Sequence, residues 1–222
     1  MEALRFGGAF LLILKQVLTA ELCLEKVYLC KVDLADAYKR LWVRMEDVPY
    51  AAFLIPKKTP RNTHLVGFHI SVPMGYINSA PYFCMAMETV ADLAKEAISK
   101  RDQVGEHALD LAAKSRAAED ASAHEAQADA SWEDFPAEQR SDAQANVNVY
   151  LVDCISVIQG GPIERHQMLC HLFNQIDRLF RPNEEADTKL KEAIYLMNLG
   201  QGDGAWSTRK TVLGWDLDTY GR

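Results

Sequence analysis

The feature that most constrains this chain is a block from Ala97 to Asn146 that offers almost nothing to a core. It holds 14 alanines in 50 residues, with Asp, Glu, Ser and Gln filling the gaps, as in AAEDASAHEAQADASWEDFPAEQRSDAQAN. Alanine permits transient helix, but without an apolar stripe little offsets the entropy of ordering, so the composition predicts a mostly disordered insertion over 97–146. A fold must then be assembled from the two flanks, 1–96 and 147–222. The block also carries the charge asymmetry, with 5 basic and 11 acidic residues for a net of −6. That leaves 19 basic and 20 acidic residues elsewhere, a net of −1 out of the whole-chain −7. Nearly neutral flanks do not predict strong non-specific affinity for a phosphate backbone.

With 222 residues and 49% hydrophobic content, the flanks have enough apolar surface for a core. The run Ala9 to Leu14 is too short to span a bilayer. The opening MEALRFGG sets an acid beside its basic residue and has no cleavage pattern after the apolar run, which predicts an intracellular protein, cytoplasmic or nuclear, that is not secreted. The five cysteines, Cys23, Cys30, Cys84, Cys154 and Cys170, are odd in number and contain no C-x-x-C pair. They read as buried thiols rather than a disulfide framework or a zinc ribbon.

Hydrophobic periodicity predicts a helix over Phe10 to Leu24, a strand over Val27 to Leu34, and a short helical segment within DLADAYKRL. Tyr50 to Ile55 and Leu65 to Val72 are rich in β-branched and aromatic residues, and PKKTPRNT between them predicts a hairpin. Asn78 and Ser79 can cap a helix with Pro81 in its first turn and Phe83, Met87, Val90 and Ala94 on its inner face. Beyond the block, Val147 to Leu151 and Cys154 to Ile158 read as a tight hairpin turning at Val152 and Asp153, neither of which favours positive φ. A helix from Gly161-Pro162 to about Phe180 should bury Met168, Leu169, Leu172, Phe173, Ile176 and Phe180, and Thr211 to Leu217 reads as a last strand. Strands interleaved with hairpins and a few helices, without βαβ alternation, define an α+β fold.

Two acids stand at structurally pointed positions, Asp33 at a strand end and Asp153 in a hairpin turn. Aspartate is a common turn residue, and spacing alone does not bring the two together. Their surroundings add information. KVDLADAYKRLWV, HLVGFHISVPMGYINSAPYF, NVYLVDCISVIQGG and TRKTVLGWDLDT, in that order, resemble successive motifs of reverse transcriptases of long-terminal-repeat-type retroelements. The resemblance covers nearly the whole chain outside the 97–146 block.

The resemblance implies a partial right-hand polymerase palm, an antiparallel sheet backed by helices. Residues 1–96 would hold part of the fingers and the first half of the palm, and 147–222 the second half. It implies RNA-directed DNA synthesis by two-metal nucleotidyl transfer, with Asp33 and Asp153 as catalytic, metal-binding carboxylates for Mg²⁺ or Mn²⁺. Tyr38 would lie beneath the incoming sugar, and Met74 and Gly75 beside the nucleotide. Asn78 and Pro81, with Leu213, Gly214 and Trp215, would contact primer and template. Partners would be an RNA or DNA template with primer, deoxynucleoside triphosphates and other segments of a retroelement polyprotein, with no membrane.

Two departures qualify the implied activity. The third motif has two adjacent aspartates in the family and reads Tyr150-Leu151-Val152-Asp153 here, so Val152 removes a principal metal ligand and one negative charge. Fingertip residues upstream of the first motif, and the thumb, connection and ribonuclease H regions that follow in the family, have no counterpart in this sequence. The resemblance thus implies impaired polymerisation, with a catalytically inactive retroelement relic, at most a nucleic-acid or protein binding module, as the alternative. An unrelated metal-dependent phosphotransferase would need a further carboxylate close to Asp33.

Other features read more plainly. His166, Cys170 and His171 are ordinary helix positions rather than a metal site. Gly200-Gln201-Gly202-Asp203-Gly204 is a turn before the last strand, since no βαβ unit surrounds it and no G-K-[ST] follows. Lys57, Lys58, Arg61 and His64 form a basic hairpin tip able to touch a phosphate, and Glu184-Glu185-Ala186-Asp187 is a solvated acidic loop.

Overall fold

A computed structural model describes residues 8–20, 26–56, 65–100, 102–109, 144–180, 193–195, 199 and 202–219. The fold is α+β. Its elements are α1 (Gly8–Thr19), β1 (Val27–Asp33), 3₁₀ turns at Ala37–Arg40 and Val48–Ala51, and β2 (Ala52–Ile55) with β3 (Leu65–Phe68). These are followed by α2 (Ser79–Ser99), β4 (Gln144–Tyr150), β5 (Asp153–Gln159), α3 (Pro162–Phe180), and β6 (Arg209–Val212) with β7 (Trp215–Asp218). No described helix is long and apolar enough to cross a membrane.

The organising element is a three-stranded antiparallel sheet in the order β1-β5-β4. Its central strand, DCISVIQ, is buried from Cys154 to Gln159, because side chains on both faces are covered. Alternation along the strands sorts the residues into two cores. Cys30, Val32, Val147, Cys154 and Ile158 face α2 and α3 and pack with Phe83, Met87, Leu172, Phe173 and Ile176. Val27, Leu29, Ile155 and Val157 face the other way and pack with Ile13 and Val17 of α1 and Val212 of β6. Asn148 on that face donates to Gln16 of α1 at 3.1 Å, and Phe10 stacks on Trp215 with centroids 5.9 Å apart.

The inner faces expected from periodicity are buried throughout. Phe83, Met87, Val90 and Ala94 of α2 are each 0% exposed, and all six core positions of α3 are buried. The expected β2–β3 pairing forms, with Ala52 opposite Phe68, but it is shorter than expected, since Tyr50 and Ala51 lie in the 3₁₀ turn and β3 ends at Phe68; its strands are mostly exposed. The described cysteines Cys30, Cys84, Cys154 and Cys170 are buried and outside any disulfide, while Cys23 lies outside the described residues.

Several expectations require correction. α2 runs to Ser99 because Ala97 continues the small-residue stripe against the core. Asp102 to Leu109 also belongs to the packed body: Leu109 is buried, and His107 lies 3.1 Å from Asp177 on α3. β4 already begins at Gln144, so both ends of the 97–146 block are structured, and residues 110–143 lie outside the description. The β4–β5 turn is Leu151-Val152, and Asp153 is a paired strand residue. Leu151 takes φ 54 and Val152 keeps negative φ, the signature of a type II′ turn that normally has glycine first. The expected strand over Thr211 to Leu217 is a hairpin, because Leu213 and Gly214 both have positive φ, 51 and 81, and so make a type I′ turn between β6 and β7. Asn78 precedes α2 without a side-chain capping bond, and the Ser79 hydroxyl donates instead to the Pro73 carbonyl at 2.6 Å. The basic tip from Lys57 to His64, the acidic loop from Glu184 to Asp187, and Gly200 and Gln201 lie outside the described residues.

Candidate active site

β1 and β5 pair so that Asp33 stands directly opposite Asp153 at one end of the sheet. Alternation sets both on the face that carries Leu29 and Ile155, and sets Lys31, two residues before Asp33, there as well. Side chains so placed are close neighbours, and like charges directly opposite repel. The repulsion is met by Lys31, whose Nζ lies 3.7 Å from Asp153 Oδ2 and donates to Asp203 Oδ2 at 3.1 Å.

Asp203 comes from far along the chain and is set by its backbone. Its carbonyl accepts from the Lys31 N–H at 2.9 Å and from Lys210 Nζ at 2.7 Å, while Lys210 also bonds the Gly202 carbonyl at 2.9 Å. The Cys30 thiol donates to the Gly204 carbonyl at 3.3 Å, and Leu29 bridges Ser207. Residues 203–207 thus cover the free edge of β1, and Ala193–Tyr195 covers its end through Ala35 N–H to Ala193 and Tyr195 N–H to the Asp33 carbonyl.

Electrostatics follow from burial and from these neighbours. Burial raises the Asp33 carboxyl, the Lys31 charge and the Leu34 N–H pull it back, Asp203 raises it further, and it ends above its ordinary value. Burial also raises Asp153, and the charges of Asp33 and Asp203 add to this against Lys31. Burial alone would lower Lys31, but its bond to Asp203 and the nearby carboxylates prevail and leave it raised. Burial lowers Lys210 and pushes the Cys30 thiol up to about 12.

The remaining residues of interest lie in distinct places. Tyr38 packs on Phe83 of α2, with centroids 5.1 Å apart, and so belongs to the helix-side core. Met74 is 83% exposed, and Gly75 has φ 92 in an open stretch. Asn78 and Pro81 are partly exposed at the start of α2. Leu213 packs against the α1-side core, Gly214 completes the β6–β7 turn, and Trp215 is exposed apart from its stack on Phe10. The acids therefore share a sheet face with the Leu213–Trp215 hairpin, whereas Tyr38 is held by the opposite core. A cavity of about 810 Å³ opens beside Pro73, with Trp42, Tyr50, Tyr76, Tyr82 and Arg44 in its walls.

Two participants were not legible as such in the sequence. Lys31 could have been found from its i, i+2 relation to Asp33 on a strand. Asp203 carries no local signal, since the 172 positions that separate it from Lys31 are bridged only in the folded chain.

Carboxylate oxygens are hard donors suited to Mg²⁺ or Mn²⁺, and Asp33 with Asp153 could hold one such ion. They are too few for a pair of ions. Among the described residues no group of three or more His, Cys, Asp or Glu side chains is arranged to hold a metal. His166 and Cys170 approach at 3.8 Å, one helical turn apart. No protein-family model and no curated protein matches this chain.

Proposed function

We propose that this chain is the palm, with part of the fingers, of a retroelement reverse transcriptase, an RNA-directed DNA polymerase whose nucleotidyl-transfer centre is weakened in this copy. The observation that carries the reading is the register of β1 and β5, which sets Asp33 and Asp153 face to face. The two motifs that resemble the family's metal-binding segments thereby meet at one sheet end. Asp33 and Asp153 would hold a Mg²⁺ or Mn²⁺ ion, which when bound would stabilise negative charge on phosphate oxygens. Tyr38, braced by Phe83, is suited to support a sugar, and Gly75, whose positive φ glycine adopts without strain, has no side chain where a nucleotide would approach. Asn78, Pro81 and the Leu213–Trp215 hairpin would bear on primer and template. The aromatic walls of the cavity beside Pro73 offer stacking faces for bases.

A second reading, a non-catalytic binding module, is favoured by Val152 in place of an acid and by the ion pair that Lys31 makes with Asp153. Primer extension on an RNA template, with Mg²⁺ and then Mn²⁺, separates the two. The polymerase reading expects extension by Val152→Asp, little or none by the native chain, and none by Val152→Asp with Asp33→Ala. Nucleic-acid binding with a shallow salt dependence, and no incorporation by any variant, would establish the second reading.

A further inference from the structure

We infer that Lys31 is a resident counter-ion of the Asp33–Asp153 pair, fastened there by Asp203, and that it competes with divalent cations for those carboxylates. Its ammonium lies between two carboxylates from different elements, 3.1 Å from Asp203 and 3.7 Å from Asp153, with the side chain 24% exposed. A lysine on a sheet face could leave for solvent at little cost if it were held by one surface pair. This one is held at both ends. Its own N–H donates to the Asp203 carbonyl, so the backbone that delivers Asp203 is hydrogen-bonded to the residue whose side chain Asp203 receives. Lys210 clamps the same loop through Gly202 and Asp203, so the loop cannot swing away without exposing a buried ammonium.

The charge balance favours the same conclusion. Asp33, Asp153 and Asp203 bring three negative charges, and Lys31 with Lys210 returns two. A divalent ion entering between Asp33 and Asp153 would meet the Lys31 ammonium within a few ångströms and would be repelled by it. Val152, where the resemblance calls for an acid, removes one negative charge from that balance and leaves a net of −1 across the five groups. Lys31 thus does structurally what an ion would otherwise do, which is to keep two facing carboxylates at a sheet end from repelling each other.

The choice of ion rests on the polymerase reading, whereas the competition rests only on Lys31 and its neighbours. The test is therefore direct binding of Mn²⁺ in the absence of nucleic acid, followed by electron paramagnetic resonance. The native chain is expected to bind weakly, with Kd about 1 mM or above. Lys31→Met and Lys31→Gln, each checked for folding by circular dichroism, are expected to bind about tenfold more tightly. Adding Asp33→Asn to either should abolish the gain. Equal affinity of the native chain and the folded variants would overturn the inference, as would micromolar binding by the native chain, a result available even if neither variant folds. Failure of primer extension with intact Mn²⁺ competition would count against the polymerase reading alone.

Discussion

Asp33 and Asp153 stand directly opposite each other across the β1–β5 pair, each at the end of its strand and each held above its ordinary pKa by burial. Two facing carboxylates oppose folding when both are ionised. They persist here because Lys31 reaches Asp153 and because the edge of β1 is covered by residues 203–207.

Removing one of the pair should stabilise the protein near neutral pH. The folded state holds the Asp33 proton more strongly than the unfolded chain, so this group disfavours folding above its raised pKa, and the penalty is relieved as pH falls toward the ordinary value of 3.8. Asp33→Asn should raise Tm at pH 7 by about 2 °C, with the advantage shrinking as pH is lowered toward 4. Thermal unfolding of both proteins across that range checks the sign. Lys31, whose pKa is raised, contributes in the opposite direction, and its stabilisation is lost only above its ordinary 10.5.

The turn at Leu151 stores backbone strain. A leucine at φ 54, first in a two-residue turn, occupies the position that glycine fills most easily. Leu151→Gly should stabilise the chain by about 1 kcal/mol in denaturant unfolding, although glycine loses more entropy on folding. A destabilisation of similar size would mean that the Leu151 side chain matters more than its backbone.

Ser156 sits in the middle of β5 at 0% exposure, and among the described residues its hydroxyl has no hydrogen-bond partner. Burying that group unpaired costs more than a methyl would. Ser156→Ala is expected to stabilise by about 1 kcal/mol, measured as a shift in urea midpoint at constant m-value.

Burial pushes the Cys30 thiol up to about 12 and raises Cys154 further still, beside Asp153 and Asp33. The thiolate is the reactive form, so neither should react with an aromatic disulfide reagent at pH 8 in the native state. Both should be modified once the chain is unfolded. Mass spectrometry of the labelled peptides distinguishes them from the other cysteines, and rapid labelling of either in the native state would contradict the packing of β1 and β5.

On the polymerase reading, activity should follow the first carboxylate position of the third motif, which Val152 occupies. Val152→Asp should bring primer extension above the native level by at least about a hundredfold, given the share of catalysis that charge stabilisation supplies. Steady-state incorporation of one deoxynucleotide measures the ratio.

Much of the architecture is a local property of this sequence. The spacing of Phe83, Met87, Val90 and Ala94, and of Met168, Leu172, Phe173 and Ile176, identifies two helix faces, and those faces are the ones buried. Alternation and turn residues likewise locate β1, the β2–β3 hairpin and the β4–β5 hairpin. Errors arose where a backbone angle overrode a residue's preference. Leu151 and Leu213 adopt positive φ, which moved Asp153 out of the turn and folded the last strand into a hairpin.

The sequence alone determined that two flanks of apolar periodicity would make an α+β body around an alanine- and acid-rich block, because periodicity is written in residues close together on the chain. It also singled out Asp33 and Asp153. Only the tertiary structure decided that these acids face each other, that Lys31 lies between Asp153 and Asp203, and that residues 203–207 cover the edge of β1. Register and long-range charge pairing are set by which faces must be buried together, and residues 172 positions apart carry no local trace of that choice.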